Sequence, residues 1–354
     1  MGMPGVNVSF TEKAATVVSR GERGIVAMIV KGAVPATNPV EILSVADIPN
    51  MLSAANRKQI ELVLKGYVNA PKKVIAYCLP TAIEDYTEAL DWLEVNKFDY
   101  LVAPSCETDN QVSTLATWIK GMRANGKKVK AVLPNCPADT EGIINYATNS
   151  VTDEEDNEYT AEQYCSRIAG IIAGTPMTIS CTYAPLMELT NCERLKKTEM
   201  DDAVDAGKLI VFHDGEKVKV ARGINSFTTI NADKGAQFKK IKIVEAMDMI
   251  NDDIIKTAED SYLGKYANSY NNKCLLLSAI SNYFQGLIRD GILSEGTVEI
   301  DVDANRKYLK EKGINVSDLS DDEIKKADTD DKVFLSAKIK ILDAIEEITL
   351  PIAI

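Results

Sequence analysis

A single histidine, His213, stands beside seven cysteines and 52 carboxylates, so acid–base or nucleophilic chemistry in this chain has to pass through very few residues. A thiol nucleophile needs a base within hydrogen-bond reach and a third group to orient that base. Cys165, His213 and Asn225 are the set that can be written down. Cysteines scattered over positions 78, 106, 136, 165, 181, 192 and 274 make such a set arise by chance. His213 also has an ordinary place beside Asp214-Gly215, as the polar flank of a turn. The acidic run at 153–156 has the charge of a calcium loop without its central glycine or closing glutamate, and reads as solvated. The absence of any Cys-x-x-Cys pair argues against a zinc site or a disulfide framework, leaving the thiols as reduced, mostly buried small residues. The chain carries no G-x-G-x-x-G after a strand, no G-x-x-x-x-G-K-[ST], no G-x-S-x-G and no H-E-x-x-H. No catalytic residue, metal or cofactor is expected. An α/β hydrolase or transferase with an unrecognised site is the competing reading.

The elements that would have to position a site are easier to read. At 354 residues, 45% hydrophobic and 26% charged, the chain suits one large or two ordinary globular domains. A net charge of −12 argues against nucleic acid or an anionic membrane as the main partner, since both demand a cationic excess. No run approaches the roughly 18 apolar residues of a membrane span, and the start lacks the basic-then-apolar run of a secretory signal, so a cytosolic protein is expected.

Short apolar runs at 25–30, 72–80, 98–105 and 127–135 read as strands. Between the last three lie helical patterns, with Tyr86, Leu90 and Leu93 in one and Val112, Leu115, Trp118, Ile119 and Met122 in the other. Strands separated by single helices imply a parallel sheet covered on both faces, an α/β first half. Thr160 and Gln163 form a capping-box pattern at the head of the next helix. Residues 175–184 read as a strand, residues 209–227 as a hairpin turning at Asp214-Gly215, and residues 238–256 and 272–290 as long helices. The second half reads as α+β.

Both ends are unusual. Val6, Val8 and Phe10 alternate with polar residues, and the chain closes on ILDAIEEITLPIAI, with Ile345, Ile348, Leu350, Ile352 and Ile354 apolar. Chain ends fray unless something ties them down, so these strands are expected either to complete their own core or to be held by a neighbour, and exchange between subunits would account for both. Gly21, Gly24, Asp343 and Ala344 are the expected tethers or hinges.

Several stretches, in order, resemble the tail sheath proteins of contractile phage tails and phage-tail-like bacteriocins. They are MPGVNVSF and GERGIVAMIV at the start, ARGINSFTT at 221–229 with its R-x-I-N-[ST] pattern, and KIKIVEAMDMINDDI at 240–254. The block from YLGKYANSY and the terminal DAIEEITLPIAI follow. One departure is Glu245, where the family helix commonly carries an arginine. The resemblance implies hexameric rings stacked helically around an inner tube, assembled in a metastable extended state and contracted to drive the tube through a bacterial envelope. It implies arms exchanged between subunits and an organisation as arm 1–20, α/β outer domain 21–190, α+β tube-facing domain 191–342 and arm 343–354. It further implies the chain itself, the inner tube protein, baseplate and terminator proteins as partners, with assembly in the host cytoplasm into a released virion or bacteriocin particle. Nucleic acid and membrane insertion have no place in that scheme. On an acidic protein a tube contact needs local cations, for which Lys234, Lys239, Lys240, Lys242, Lys265, Lys273 and Arg289 are the candidates.

Overall fold

The computed structural model describes Val18 and residues 20–353. Two compact units are present among the described residues, one made of residues 21–249 with 343–353, the other of Ile250–Leu342 with Val18 and Arg20.

The first unit opens with β1 (Ile25–Lys31), β2 (Val40–Ile42), α1 (Ala54–Leu64), β3 (Lys73–Leu79), α2 (Thr87–Val95) and β4 (Tyr100–Val102). It continues through α3 (Val112–Ala124), β5 (Lys130–Pro134), β6 (Ile143–Tyr146), β7 (Ser150–Asp153), β8 (Glu158–Thr160) and α4 (Ala161–Ala173). β9 (Leu189–Cys192), α5 (Lys197–Asp205), β10 (Val211–His213) and β11 (Val218–Val220) follow, and α6 (Ile241–Ser261) begins in this unit. Six strands form one sheet in the order β2-β3-β1-β4-β5-β6, with β2 antiparallel and the other neighbours parallel. This bears out a chain of mixed helix and sheet.

The two-residue period of the strands divides the core. Val26, Met28 and Val30 of β1 and Val74, Ala76 and Cys78 of β3 face one layer, where Ile60 and Val63 of α1 and Ile168 and Ile171 of α4 cover them. Ile25, Ala27, Ile29, Ile75, Tyr77 and Leu79 face the other, under Leu90 and Leu93 of α2 and Leu115, Ile119 and Met122 of α3. A strand buried on both faces has to be apolar along its covered length, as β1 is from Ile25 to Val30. The capping box at α4 is present, with the Thr160 amide donating to Gln163 Oε1 at 3.1 Å.

One local reading is refined and one corrected. Residues 154–156 of the acidic run form an exposed turn, but their flanks pair, β7 antiparallel with β8 and with β9, and Asp153 ties that hairpin by accepting from Glu155 N, Asn157 N and Tyr159 OH at 2.9 Å each. Residues 175–184 form no strand. Ile179 N bonds back to Pro176 O, Ala184 N bonds back to Cys181 O, and Tyr183 has φ +57°, so the segment is a chain of turns.

The second unit holds the rest of α6, α7 (Tyr270–Arg289), β12 (Leu293–Ile300), α8 (Val302–Glu311), α9 (Asp321–Lys326) and β13 (Leu335–Ile341). β12 and β13 pair antiparallel, and Gly296 lets the ribbon lie on α7, since a Cβ there would meet Phe284 Cβ at 2.9 Å. Leu309, Val316 and Ile324 make a small core under α8 and α9. Compactness therefore divides the chain inside α6 and not near 190, because β9 belongs to the β7 sheet and β11 bonds to the 183–186 segment. The division at 190/191 was one of expected role, outer against tube-facing.

Candidate functional site

The chemistry written from the sequence is not assembled. Cys165 lies on the buried face of α4, where burial pushes its thiol well above the usual range and away from nucleophilic use. His213 Nδ1 accepts from Gly215 N at 2.9 Å inside its own turn, and Asn225 is spent on Phe238 O and Phe227 N at 2.8 and 3.0 Å. Among the described residues no group of three or more His, Cys, Asp or Glu side chains could hold a metal, and no helix is long and apolar enough to cross a membrane.

What the first unit does assemble is the root of the C-terminal arm. Ile345, Ile348, Leu350 and Ile352 are 74–87% exposed. Between the first two, the Glu346 side chain is only 8% exposed. Its carboxylate accepts from Thr182 Oγ1 at 2.6 Å and Arg222 Nε at 3.1 Å, with Lys240 Nζ 3.4 Å away. Burial alone would raise this carboxyl, but the Thr182 hydroxyl, Arg222 and Lys240 outweigh it and hold the group below its usual range. Asp343 pairs with Lys240, and Glu347 lies 3.3 Å from Arg222.

The ARGINSFTT stretch builds this seat. Gly223 has no room for a side chain, since a Cβ would lie 2.8 Å from Cys181 Sγ and 2.9 Å from Ser180 Oγ. Its amide holds Thr182 Oγ1 at 2.9 Å, and Ser226 fastens the stretch to the sheet through Ile143 O at 2.8 Å. Val6, Val8, Phe10 and Ile354 lie outside the described residues.

A second charged cluster lies under the start of α6. Lys130, 2% exposed, sits 2.8 Å from both Glu245 and Asp248. Arg123 grips Asp248 with two bonds of 2.9 and 3.1 Å, and Arg23 binds Glu245 at 2.7 Å. Glu245 is therefore paired with two cations, Lys130 and Arg23. The missed residue here is Lys130, whose sequence signal was a lysine inside the apolar run VKAVLP.

The remaining expected residues are placed as follows. Gly24 is fixed in the fold: it has φ +84°, a Cβ there would meet Ala173 O at 3.0 Å, and its carbonyl accepts from Lys72 N at 2.9 Å. Gly21 is half-buried, and the compact units divide at Arg20/Gly21 and at Leu342/Asp343, next to Ala344. Lys234 binds Glu141 at 2.8 Å, while Lys239 is half-buried and Lys242 buried. Lys273 is 3% exposed and bonds Thr329 Oγ1 at 2.9 Å. Lys265 and Arg289 are exposed.

Comparison with known proteins decides what this frame is for. Residues 82–226 match the phage tail sheath protein central domain, and residues 233–354 match the phage tail sheath C-terminal domain. A tail sheath protein of Clostridium phage phiCD119 is 39% identical over 99% of this chain and 98% of its own length. The chain belongs to the phage tail sheath family. A crystal structure of a sheath tail protein from Desulfitobacterium hafniense covers 84% of this sheath chain and 94% of its own, with TM-score 0.69 and 21% identity. The contracted helical sheath of the anti-feeding prophage covers 100% and 99%, with TM-score 0.73 and 15% identity. This sheath protein is a structural component of a phage-type tail and not an enzyme, and the hydrolase or transferase alternative finds no support.

Proposed function

We propose that the sheath subunit builds hexameric rings that stack helically around an inner tail tube, wait in a metastable extended state, and contract to drive the tube through a bacterial envelope. Baseplate and terminator proteins bound the stack at its two ends. The particle, a virion or a bacteriocin, assembles in the host cytoplasm before release. The work comes from the free-energy difference between two packings held apart by a kinetic barrier, which asks no nucleotide of the sheath.

One observation carries this reading. The arm is seated by its carboxylates while Ile345, Ile348, Leu350 and Ile352 face outward. Those side chains await a surface that their own fold does not supply. Residues 345–354, fully extended, span about 33 Å, enough to reach another subunit. Burying each isoleucine or leucine contributes about 1.5–3 kcal/mol, against about 1–2 kcal/mol per ordered residue. A single exchange is marginal; many linked exchanges, each made local by the last, are not. Val6, Val8, Phe10 and Ile354 serve the same exchange, and the tethers at Gly21 and 343–344 change direction on contraction.

Ending the chain after Glu347 tests this while leaving the seat intact. The shortened protein should stay folded and soluble, with an unchanged melting temperature, and form no sheath by electron microscopy. Long sheaths from it would overturn the reading.

The tube contact falls to the exposed cations. Since Lys273 is buried, the informative reversal is Lys265→Glu with Arg289→Glu. We expect the fraction of tubes carrying sheath to drop several-fold at low salt, with ring formation unaffected; an unchanged fraction would move the contact elsewhere.

A further inference from the structure

The seat of Glu346 has a use beyond tidiness. In an arm whose apolar side chains are exposed, one carboxylate is drawn under the surface and given more partners than a chance contact needs. Thr182 Oγ1 donates at 2.6 Å, Ser180 Oγ lies at 3.4 Å, Arg222 approaches through Nε at 3.1 Å and Nη2 at 3.0 Å, and Lys240 Nζ stands at 3.4 Å. These groups come from three separate stretches of the first unit, two of them tied directly to each other. Thr182 is held by the Gly223 amide and Arg222 precedes that glycine, while Lys240 leads directly into α6. A surface ion pair contributes little, whereas a buried carboxylate with several charge-assisted bonds holds a backbone in one direction.

We propose that Glu346 is a positioning residue for assembly: seated on Thr182, Arg222 and Lys240, it fixes where and in which direction the C-terminal arm leaves its own subunit. The inference rests on the arm reaching a neighbour, as proposed above. Seated, the arm presents Ile348, Leu350 and Ile352 from a defined point, so the search for a neighbour starts from one geometry. Unseated, the flexible length grows and the effective concentration of the arm at its acceptor falls.

The test reads the root and the assembly separately. A nitroxide is placed at Ile345→Cys in the full-length chain, with the partly exposed Cys274 changed to Ser; the other cysteines are buried. Before assembly, Glu346→Gln should raise the label's mobility several-fold, and Glu347→Gln, at a side chain 83% exposed, should leave it unchanged. Both variants should melt like the parent. In sheath formation the Glu346→Gln protein should assemble about tenfold more slowly. If Glu346→Gln does not fold, Thr182→Val is read the same way, with a smaller effect expected. Equal mobility of the label with and without the Glu346 carboxylate would overturn the seat. Failure of the protein ending at Glu347 to assemble, together with that equality, would leave the arm reading standing and remove only this one. Assembly by the shortened protein would overturn the arm reading and, with it, a role for Glu346 in assembly.

Discussion

Replacing Asp248 with alanine should cost the first unit about 3–5 kcal/mol, the range for removing one partner of a buried ion pair. The cost lies in what is left behind. Lys130 loses one of its two anions at 2% exposure, and Arg123 loses its two-pronged partner while keeping Glu141 at 3.4 Å and the Val129 carbonyl at 3.3 Å. Neither cation can move to water without opening the sheet beneath α6. Removing Lys130 as well, as Asp248→Leu with Lys130→Met, should recover much of the loss, because an apolar pair carries no desolvation penalty. The same network sets a pH dependence. Burial by itself raises the Asp248 and Glu245 carboxyls, but Lys130 with Arg123 in the first case, and Lys130 with Arg23 in the second, hold both below their usual range. Their stabilisation is therefore full above the unfolded carboxyl pKa of about 4 and is lost as pH falls through the lower folded values. Denaturant titrations at pH 7 and at pH 3.5 should show wild type losing stability on acidification and the Asp248→Ala protein losing less. Equal acid sensitivity would place the titrating groups elsewhere.

Gly170→Ala is expected to destabilise although alanine favours helix by about 1 kcal/mol over glycine. Gly170 is the point where α4 meets α1, and a Cβ there would lie 2.2 Å from Val63 O and 2.9 Å from Val63 Cα. Those are backbone atoms that cannot rotate away, so the two helices have to separate. Overpacking of this kind costs about 1–3 kcal/mol and more when backbone is the obstacle, so a net loss of about 2 kcal/mol is expected for alanine and more for valine. At this size of unit that lowers the melting temperature by about 4–8 °C for alanine. Gly121 in α3 supplies the opposite sign, since nothing lies within 4 Å of a Cβ there and its surface is exposed. Gly121→Ala should gain about 0.5–1 kcal/mol. Thermal melts of the two alanine variants should move in opposite directions; a stabilised Gly170→Ala would mean that α1 and α4 do not pack at this distance.

The sequence alone determined whatever depends on near neighbours. Ile25 to Val30 are apolar at every position, which only a strand covered on both faces requires, and the sheet is built around β1. The helices between the strands announced themselves through the spacing of Leu90 and Leu93 and of Leu115, Ile119 and Met122, all buried. The absence of phosphate-binding or nucleophile motifs, and the ordered family stretches, pointed to a structural role that the comparisons bear out. Tertiary structure decided the rest. The segment 175–184 has the composition of a strand, yet its backbone is turned to deliver Ser180 and Thr182 to a carboxylate more than 160 residues away. Lys130 is a lysine inside an apolar run and is among the most buried side chains, because α6 returns over the sheet with Glu245 and Asp248. Lys240 and Lys273 counted as available cations until their partners Asp343 and Thr329 appeared. Hydrophobic periodicity repeats every two or nearly four residues and can be read within a short window, whereas an ion pair has no period: it exists only where the folded chain brings two distant charges together and excludes water from between them.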